Sequence, residues 1–480
     1  MDLALAGFEV TVFERAATPG GKIREVQVAG QRMDAGPSVF TMREVFDDLF
    51  ADGGEHFDSY VQLTRANVLA RHAWSSHERL DLHADLRDSI AAIAEFAGLQ
   101  EAIGFEAFAS HARRVYATLK YSFIRASRPS PIELMLRLPR RRRWMELWGM
   151  QPFTTLWRSI ERYFKDPRLR QLFGRYATYC GSSPFSSPAT LMLVSHVEQA
   201  GVWYIEGGMY QLASQLAAAA QRRGVNLRYG ADVSRLCLER GRVRALQLVG
   251  GERVDTDAVV CNSDTNAVAS GYFGAEVISG ASETRRDARS LSAITWNMVA
   301  RTSGFQLAHH SVFFGGDYRG EFAANFGRKQ LAAAPSIYIC AQDRRDAEPA
   351  SGAERLFCLI NAPAIGDTHH FNSAEINTCE ARLFRQLAKF GLTVERHSNS
   401  TLTTTPSDFN RLFPATGGAL YGPASHGWRA SFTRPGSRSR VPGLYLAGGS
   451  THPGPGVPMA ATSGRLAAAC LIEDLASTKL

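Results

Sequence analysis

The chain has 480 residues, 45% of them hydrophobic and 21% charged, which excludes an intrinsically disordered protein and a disulfide-stapled mini-domain and leaves room for two or three globular units. Seven cysteines with no C-x-x-C pair exclude a zinc knuckle and a dithiol redox site, and fit a reducing, cytoplasmic setting. The net charge of +8 is uneven: 16 Lys/Arg meet four acids from Arg113 to Arg175, so one segment is basic and the rest of the chain slightly acidic.

No apolar run reaches the length of a membrane-spanning helix. The opening MDLALAGFEV has no basic flank, so no signal peptide is expected there. Residues 2–6 read as the end of a helix closed by Gly7, and residues 8–14 as a buried strand ending in Glu14. Helix, glycine and a strand tipped by an acid form the second half of a dinucleotide-binding βαβ unit, in which the acid accepts hydrogen bonds from a ribose diol. Pro19-Gly20-Gly21-Lys22 follows, then Asp34-Ala35-Gly36-Pro37-Ser38. Glycines let a backbone approach a ligand closely, although such dipeptides also mark plain turns.

The basic segment holds Arg137, the run Arg140, Arg141, Arg142 and Arg143, and Trp144, Trp148 and Trp157. Arginines beside tryptophans and apolar residues suit the headgroup boundary of an anionic membrane, here between Arg137 and Trp148. Arginine runs also suit nucleic acid, but no nucleic-acid fold signature accompanies this one, so no nucleic acid is expected.

Gly207-Gly208 opens an amphipathic helix from Met209 to Ala220. Strand-like pieces at 225–229, 233–238, 243–249 and 258–261 follow as a meander and a return strand. Residues 336–341 and 356–361 are strand-like runs among loops. Near the end, Gly443 leads a strand into Gly448-Gly449, then Ser450-Thr451-His452-Pro453-Gly454-Pro455-Gly456-Val457-Pro458, and a helix spans 459–475. Its N-terminus offers free N–H groups to a pyrophosphate or a ring edge. The pairs His309-His310 and His369-His370 have no third ligand at readable spacing, so no metal site is expected.

Together these blocks resemble the FAD-dependent carotenoid desaturases, the phytoene-desaturase-like family. The resemblance rests on V-T-V-F-E-R…P-G-G-K at 10–22, D-A-G-P-S at 34–38, S-H-V-E-Q-A-G-V-W-Y-I-E-G-G-M at 195–209 and Y-L-A-G-G-S-T-H-P-G-P-G-V-P at 445–458. With Y-A-T-Y-C-G-S-S-P at 176–184, the chain is most similar to the branch that introduces a 3,4 double bond into acyclic 1-hydroxycarotenoids, the hydroxyneurosporene desaturases; phytoene desaturation in the same family is the alternative. The resemblance implies an α/β fold with a glutathione-reductase-type FAD domain built from residues 1–84, 205–284 and 401–480. A helical, membrane-facing substrate region at 85–204 and a mixed α+β substrate domain at 285–400 complete it.

It also implies FAD as cofactor, with Glu14 on the ribose and Gly20, Gly21 and Lys22 in a loop beside it. Gly36, Pro37 and Ser38 would line the flavin side, and Val233 the adenine. Gly448, Gly449, Gly456 and Val457 would face the flavin and pyrophosphate. The family's first strand and G-x-G-x-x-G are not in this sequence, so they are expected upstream of Met1, a misplaced start. The substrate would lose a hydride to the flavin and a proton that needs no strong base. His452, His196 and Glu198 lie nearest by motif position, and each reads better as a structural polar group. A flavin amine oxidase is a rival reading, and an isoprenoid carrier without flavin is another.

Overall fold

Alternation of side chains along strands and one apolar stripe per helix build two layers that meet at a large cavity. The structure, a computed structural model, describes residues 1–127, 150, 151, 153–346, 348, 350 and 352–477. The expected membrane-facing stretch between Arg137 and Trp148 lies outside the described residues.

The nucleotide-type layer contains two parallel strand pairs. Thr11–Glu14 runs beside Asn226–Tyr229, and Val259–Cys261 beside Leu444–Leu446. An antiparallel meander of Val233–Glu239, Arg242–Leu248 and Arg253–Asp255 packs nearby. Among the described residues, Thr11–Glu14 and Val259–Cys261 each have one ladder partner. All of residues 10–14 and all of residues 258–261 line the same cavity. Neighbouring residues of a strand point to opposite faces, so an unbroken lining run presents the strand's edge, with unpaired N–H and C=O groups. Helices Tyr210–Arg222 and Val457–Ser477 cover this layer. Pro458 is tolerated because the first helical turn has no N–H partner to lose.

The second layer is an eight-stranded sheet in the order Leu392–Glu395, Ser292–Gly304, Glu354–Ala362, Ile337–Ala341, His310–Phe313, Val68–Ala73 and Arg79–His83, with Thr401–Thr404 also pairing to Ser292–Gly304. Its two faces differ. Ile294, Trp296, Met298, Ile339 and Cys358 pack with Leu383 and Leu387 of the helix Ser373–Lys389 in a buried apolar core. On the other face, Thr295 stands opposite Leu359, and Leu359 opposite Tyr338. That row lines the cavity with Phe357 and Asn361, so the sheet is the cavity floor.

Helices form a cap above the floor. The Asp85 carboxylate caps the helix Leu86–Ala97 by accepting from Arg87 N at 2.7 Å. The helix Leu99–Leu119 buries Ala102, Phe105, Phe108, Ala112, Val115 and Leu119, the three- and four-residue spacing of one helical face. Phe105, Phe108, Phe164 and Phe173 stack among themselves at its centre.

Two expected boundaries shift. Residues 68–83, assigned by sequence to the nucleotide part, close the edge of the floor sheet, and Thr401–Thr404 also joins that sheet. The long strand Ser292–Gly304 and the short one Arg253–Asp255 went unread.

Asp34 ties the layers together. Its carboxylate accepts from Met209 N at 2.7 Å and Tyr210 N at 2.9 Å, at the start of the helix Tyr210–Arg222. Its carbonyl accepts from Asn297 Nδ2 and Gln342 Nε2 at 2.9 Å, and its N–H donates to Gln342 Oε1 at 3.1 Å. Burial raises the carboxyl pKa, while the two helix N–H groups work the other way. Removing the carboxylate orphans two buried donors, each costing about 1–3 kcal/mol. Asp34→Ala is therefore expected to lower the thermal unfolding midpoint clearly, with Asp34→Asn, which keeps one acceptor, falling between; equal midpoints in a calorimetric scan would contradict this.

Candidate functional site

One continuous cavity of about 2200 Å³ runs between the layers. The twelve residues that the resemblance implies for the cofactor line it: Glu14, Gly20, Gly21, Lys22, Gly36, Pro37, Ser38, Val233, Gly448, Gly449, Gly456 and Val457. Segments more than 400 positions apart in the chain thus reach one space.

The glycines do not all act as expected. A Cβ at Gly36 would lie 1.9 Å from the Lys22 carbonyl oxygen, and one at Gly448, where φ is +110°, would lie 2.5 Å from Asn262 Oδ1. These two allow the chain to approach itself, and so fix loop shape. Gly21 meets nothing within 4 Å and does leave open space.

The Glu14 carboxylate accepts from Ala16 N at 2.7 Å, which holds it at the strand tip beside the cavity. Lys22 Nζ donates to the Leu420 carbonyl at 2.7 Å and lies over the Phe413 ring; burial lowers its pKa. Arg434, buried, donates to the carbonyls of Tyr421, Pro423 and Gly449 at 2.7–3.1 Å, pinning the glycine turn to the loop before it. Ser463 Oγ accepts from Gly448 N at 3.2 Å from within the final helix.

The opening turn of that helix, residues 457–460, borders the cavity. The helix Tyr210–Arg222 has its first N–H groups bound by Asp34, whereas in the first turn of the final helix Pro458 has no N–H and Ala460 N donates to the Gly456 carbonyl at 2.8 Å. Asp264 Oδ2 is buried without a partner, and its residue lines the cavity. An acid at a strand tip, an open glycine, a helix start at the cavity and an orphaned carboxylate oxygen fit a large polar, phosphate-bearing ligand.

The remaining wall is apolar, with Leu119, Phe123, Leu191, Val194, Val197 and Phe432 from the cap. One polar patch interrupts it. Glu198, 3% exposed, accepts from Tyr176 Oη at 2.6 Å and from Tyr179 Oη. Arg175 donates to Tyr179 Oη at 3.3 Å. Although burial opposes its charge, Tyr179, Glu198 and Tyr176 hold the Arg175 pKa above its ordinary value. On the floor, Tyr338 Oη is 2.6 Å from Ser38 Oγ and 2.8 Å from His310 Nδ1.

Of the proton-acceptor candidates, His452 Nε2 is bonded to the Phe123 carbonyl at 2.9 Å, and burial brings its pKa down to about 4. His196 packs on the Tyr116 ring. Neither lines the cavity; Glu198 does. The pair His309-His310 meets a partner the sequence did not reveal: their ligating atoms and Cys340 Sγ lie within 4.8 Å of one another. Burial raises the Cys340 thiol pKa, and Sγ sits 3.4 Å from His309 Nε2 as a hydrogen-bond partner.

Arg175, Tyr179, Thr295 and Tyr338 are site residues the sequence did not supply. For Thr295 a signal existed, since Thr295 and Asn297 alternate with Ile294, Trp296 and Met298 at the strand period.

Comparison with known proteins agrees with this geometry. The profile of the family described as flavin containing amine oxidoreductase matches residues 2–472. The hydroxyneurosporene desaturase of Rubrivivax gelatinosus is 51% identical over 99% of this chain and 91% of its own length; that of Cereibacter sphaeroides is 42% identical over 99% and 95%. The 1-hydroxycarotenoid 3,4-desaturase of a Flavobacterium is 28% identical over 96% and 94%. Among solved structures, a putrescine oxidase triple mutant superposes with a TM-score of 0.57 at 13% identity, covering 98% of this chain and 95% of that one, a likeness of fold. The chain belongs to the flavin-containing amine oxidoreductase family, together with the hydroxyneurosporene desaturases.

Proposed function

We propose that this chain is an FAD-dependent desaturase that introduces a 3,4 double bond into acyclic 1-hydroxycarotenoids of the hydroxyneurosporene type. The observation that carries the reading is the continuity of the cavity: dinucleotide-type elements at its polar end open without a wall onto an apolar space between cap and floor. Such a space suits a long hydrocarbon and keeps water from the reacting carbons.

Glu14 would hold the ribose, Val233 the adenine, Gly21 and the final helix's start the pyrophosphate, and the loops of Ser38 and Gly449 the ring. FAD, when bound, supplies the hydride acceptor at its ring nitrogen N5. The chain's own residues orient the polyene and exclude solvent. The proton needs no strong base, because the charge left on the substrate is allylic and delocalised; Glu198, tied to two tyrosine hydroxyls, is a held acceptor. The unpaired edges of Thr11–Glu14 and Val259–Cys261 support one further element, a parallel strand lying between them with a glycine-rich turn at its end. For the segment between Arg137 and Trp148 we propose contact with an anionic membrane surface, from which so apolar a substrate is drawn.

Three outcomes test this. A chain extended ahead of Met1 by a strand and G-x-G-x-x-G is expected to retain FAD, and Glu14→Ala in it to weaken FAD binding about tenfold or more, read by flavin absorbance after desalting. Supplied with 1-hydroxyneurosporene, the extended chain is expected to yield a red-shifted product with one more conjugated bond; flavin reduction by amines instead would overturn the assignment. Replacing Arg140, Arg141, Arg142 and Arg143 by Ser is expected to reduce sedimentation with anionic vesicles at low salt, and equal sedimentation would refute the membrane contact.

A further inference from the structure

A cavity for a pure hydrocarbon has no use for charge, since burying Arg and Glu costs more than their attraction returns unless further hydrogen bonds are made. Yet Arg175, Tyr179 and Glu198 all line the cavity wall. Their hydrogen-bonding capacity is not exhausted. Arg175 Nε is buried without a partner. Each Glu198 oxygen accepts from one tyrosine and keeps a second lone pair. Across the cavity, Thr295, 1% exposed, lines the floor, and its Oγ1 has no partner either.

The patch and the floor face one cavity. Thr295 and Tyr338 stand in one row of the sheet, flanking Leu359. Arg175, Tyr179 and Tyr338 line the same cavity, and burial raises the Tyr338 hydroxyl pKa. Tyr338 in turn holds Ser38 of the loop assigned to the flavin side.

Resting on the functional reading above, we infer that Arg175, Tyr179, Glu198 and Thr295 form the subsite for the substrate's tertiary hydroxyl. The substrate's own connectivity requires such a place. In a 1-hydroxycarotenoid, a single carbon separates the hydroxyl-bearing carbon from the bond that is oxidised. Whatever receives the hydroxyl must therefore stand near the redox site, and this patch lines the same cavity as Tyr338 and Ser38. An alcohol both donates and accepts, so it matches a wall offering a carboxylate lone pair and an unused guanidinium N–H. Anchoring that end also sets which carbons face the flavin, so the subsite governs regiochemistry as well as affinity.

The competing view is that the cluster only clasps the turn Arg175–Cys180 to the helix Leu193–Ala200. A clasp would affect stability and leave discrimination between substrates unchanged. The test therefore compares 1-hydroxyneurosporene with neurosporene, the same chain without the hydroxyl, in detergent. Dissociation constants are read by tryptophan quenching in flavin-free protein, and kcat/KM in the FAD-loaded extended chain. The native protein is expected to favour the hydroxylated form about tenfold or more, because a site built around a hydroxyl leaves buried polar groups unpaired when it is missing. Thr295→Val, nearly isosteric, and Tyr179→Phe, which keeps the ring, are each expected to narrow that ratio several-fold, with the loss on the hydroxylated form. If both variants keep the native ratio, or the native protein takes both carotenoids equally, the subsite is wrong while the desaturase reading stands. If the native protein neither binds nor converts either carotenoid, the functional reading falls and the subsite with it. Thermal midpoints of the variants identify any that fail to fold, in which case Arg175→Lys, which retains the charge and removes the Nε donor, provides the same comparison.

Discussion

Asp34 holds the two layers in register, its part-buried carboxylate bound to one helix and its backbone to the floor side. Four backbone or amide donors converge on this residue, two from the start of one helix and two from side chains of the floor sheet. Burial disfavours the carboxylate's charge and the two helix N–H groups offset it, while the two amide donors satisfy the backbone carbonyl. The constraint is mutual: the hairpin that carries Asp34 leads directly into Gly36, Pro37 and Ser38, and so the same residue that docks the helix also positions the loop at the cavity. Close approach at Gly36 and the three-carbonyl grip of Arg434 complete a rigid frame on the polar side.

Within that frame the cavity joins two solvents. One end is bordered by strand tips, loops and a helix start, and the other by cap side chains that offer mostly contact area. A ligand pair divided in the same way, one polar and phosphate-bearing, one greasy and long, is what such a cavity accepts without stranding polar atoms. The polar patch of Arg175, Tyr179 and Glu198 breaks the apolar end, and its cost in desolvation makes it the most informative group of side chains there.

Much of the polar end was legible. All twelve residues chosen from glycine-rich turns and strand tips line the cavity, because close backbone approach and a strand-end acid are local demands, written in contiguous residues. The reason assigned to Gly36 and Gly448 still needed correcting, since the neighbour each accommodates is its own chain. The strand Ser292–Gly304 was missed although Ile294, Trp296 and Met298 alternate with Thr295 and Asn297. The place of the strands Val68–Ala73 and Arg79–His83 at the edge of the floor sheet is not legible locally, because the pairing to His310–Phe313 is a contact across more than 200 residues. Cys340 beside His309-His310 was likewise invisible to spacing rules.

Family membership and the turns that come to line the cavity were thus determined by the sequence alone, since they depend on short runs whose backbone geometry is set by the residues within them. Only the tertiary structure decided that Asp34 caps a distant helix, that Thr295 and Tyr338 face the cavity while Trp296 faces away, and that Arg175 meets Glu198 in its wall. Those outcomes depend on strand register and on how the cap packs over the floor, and the hydrogen bonds and burial that select them arise between segments no local pattern connects.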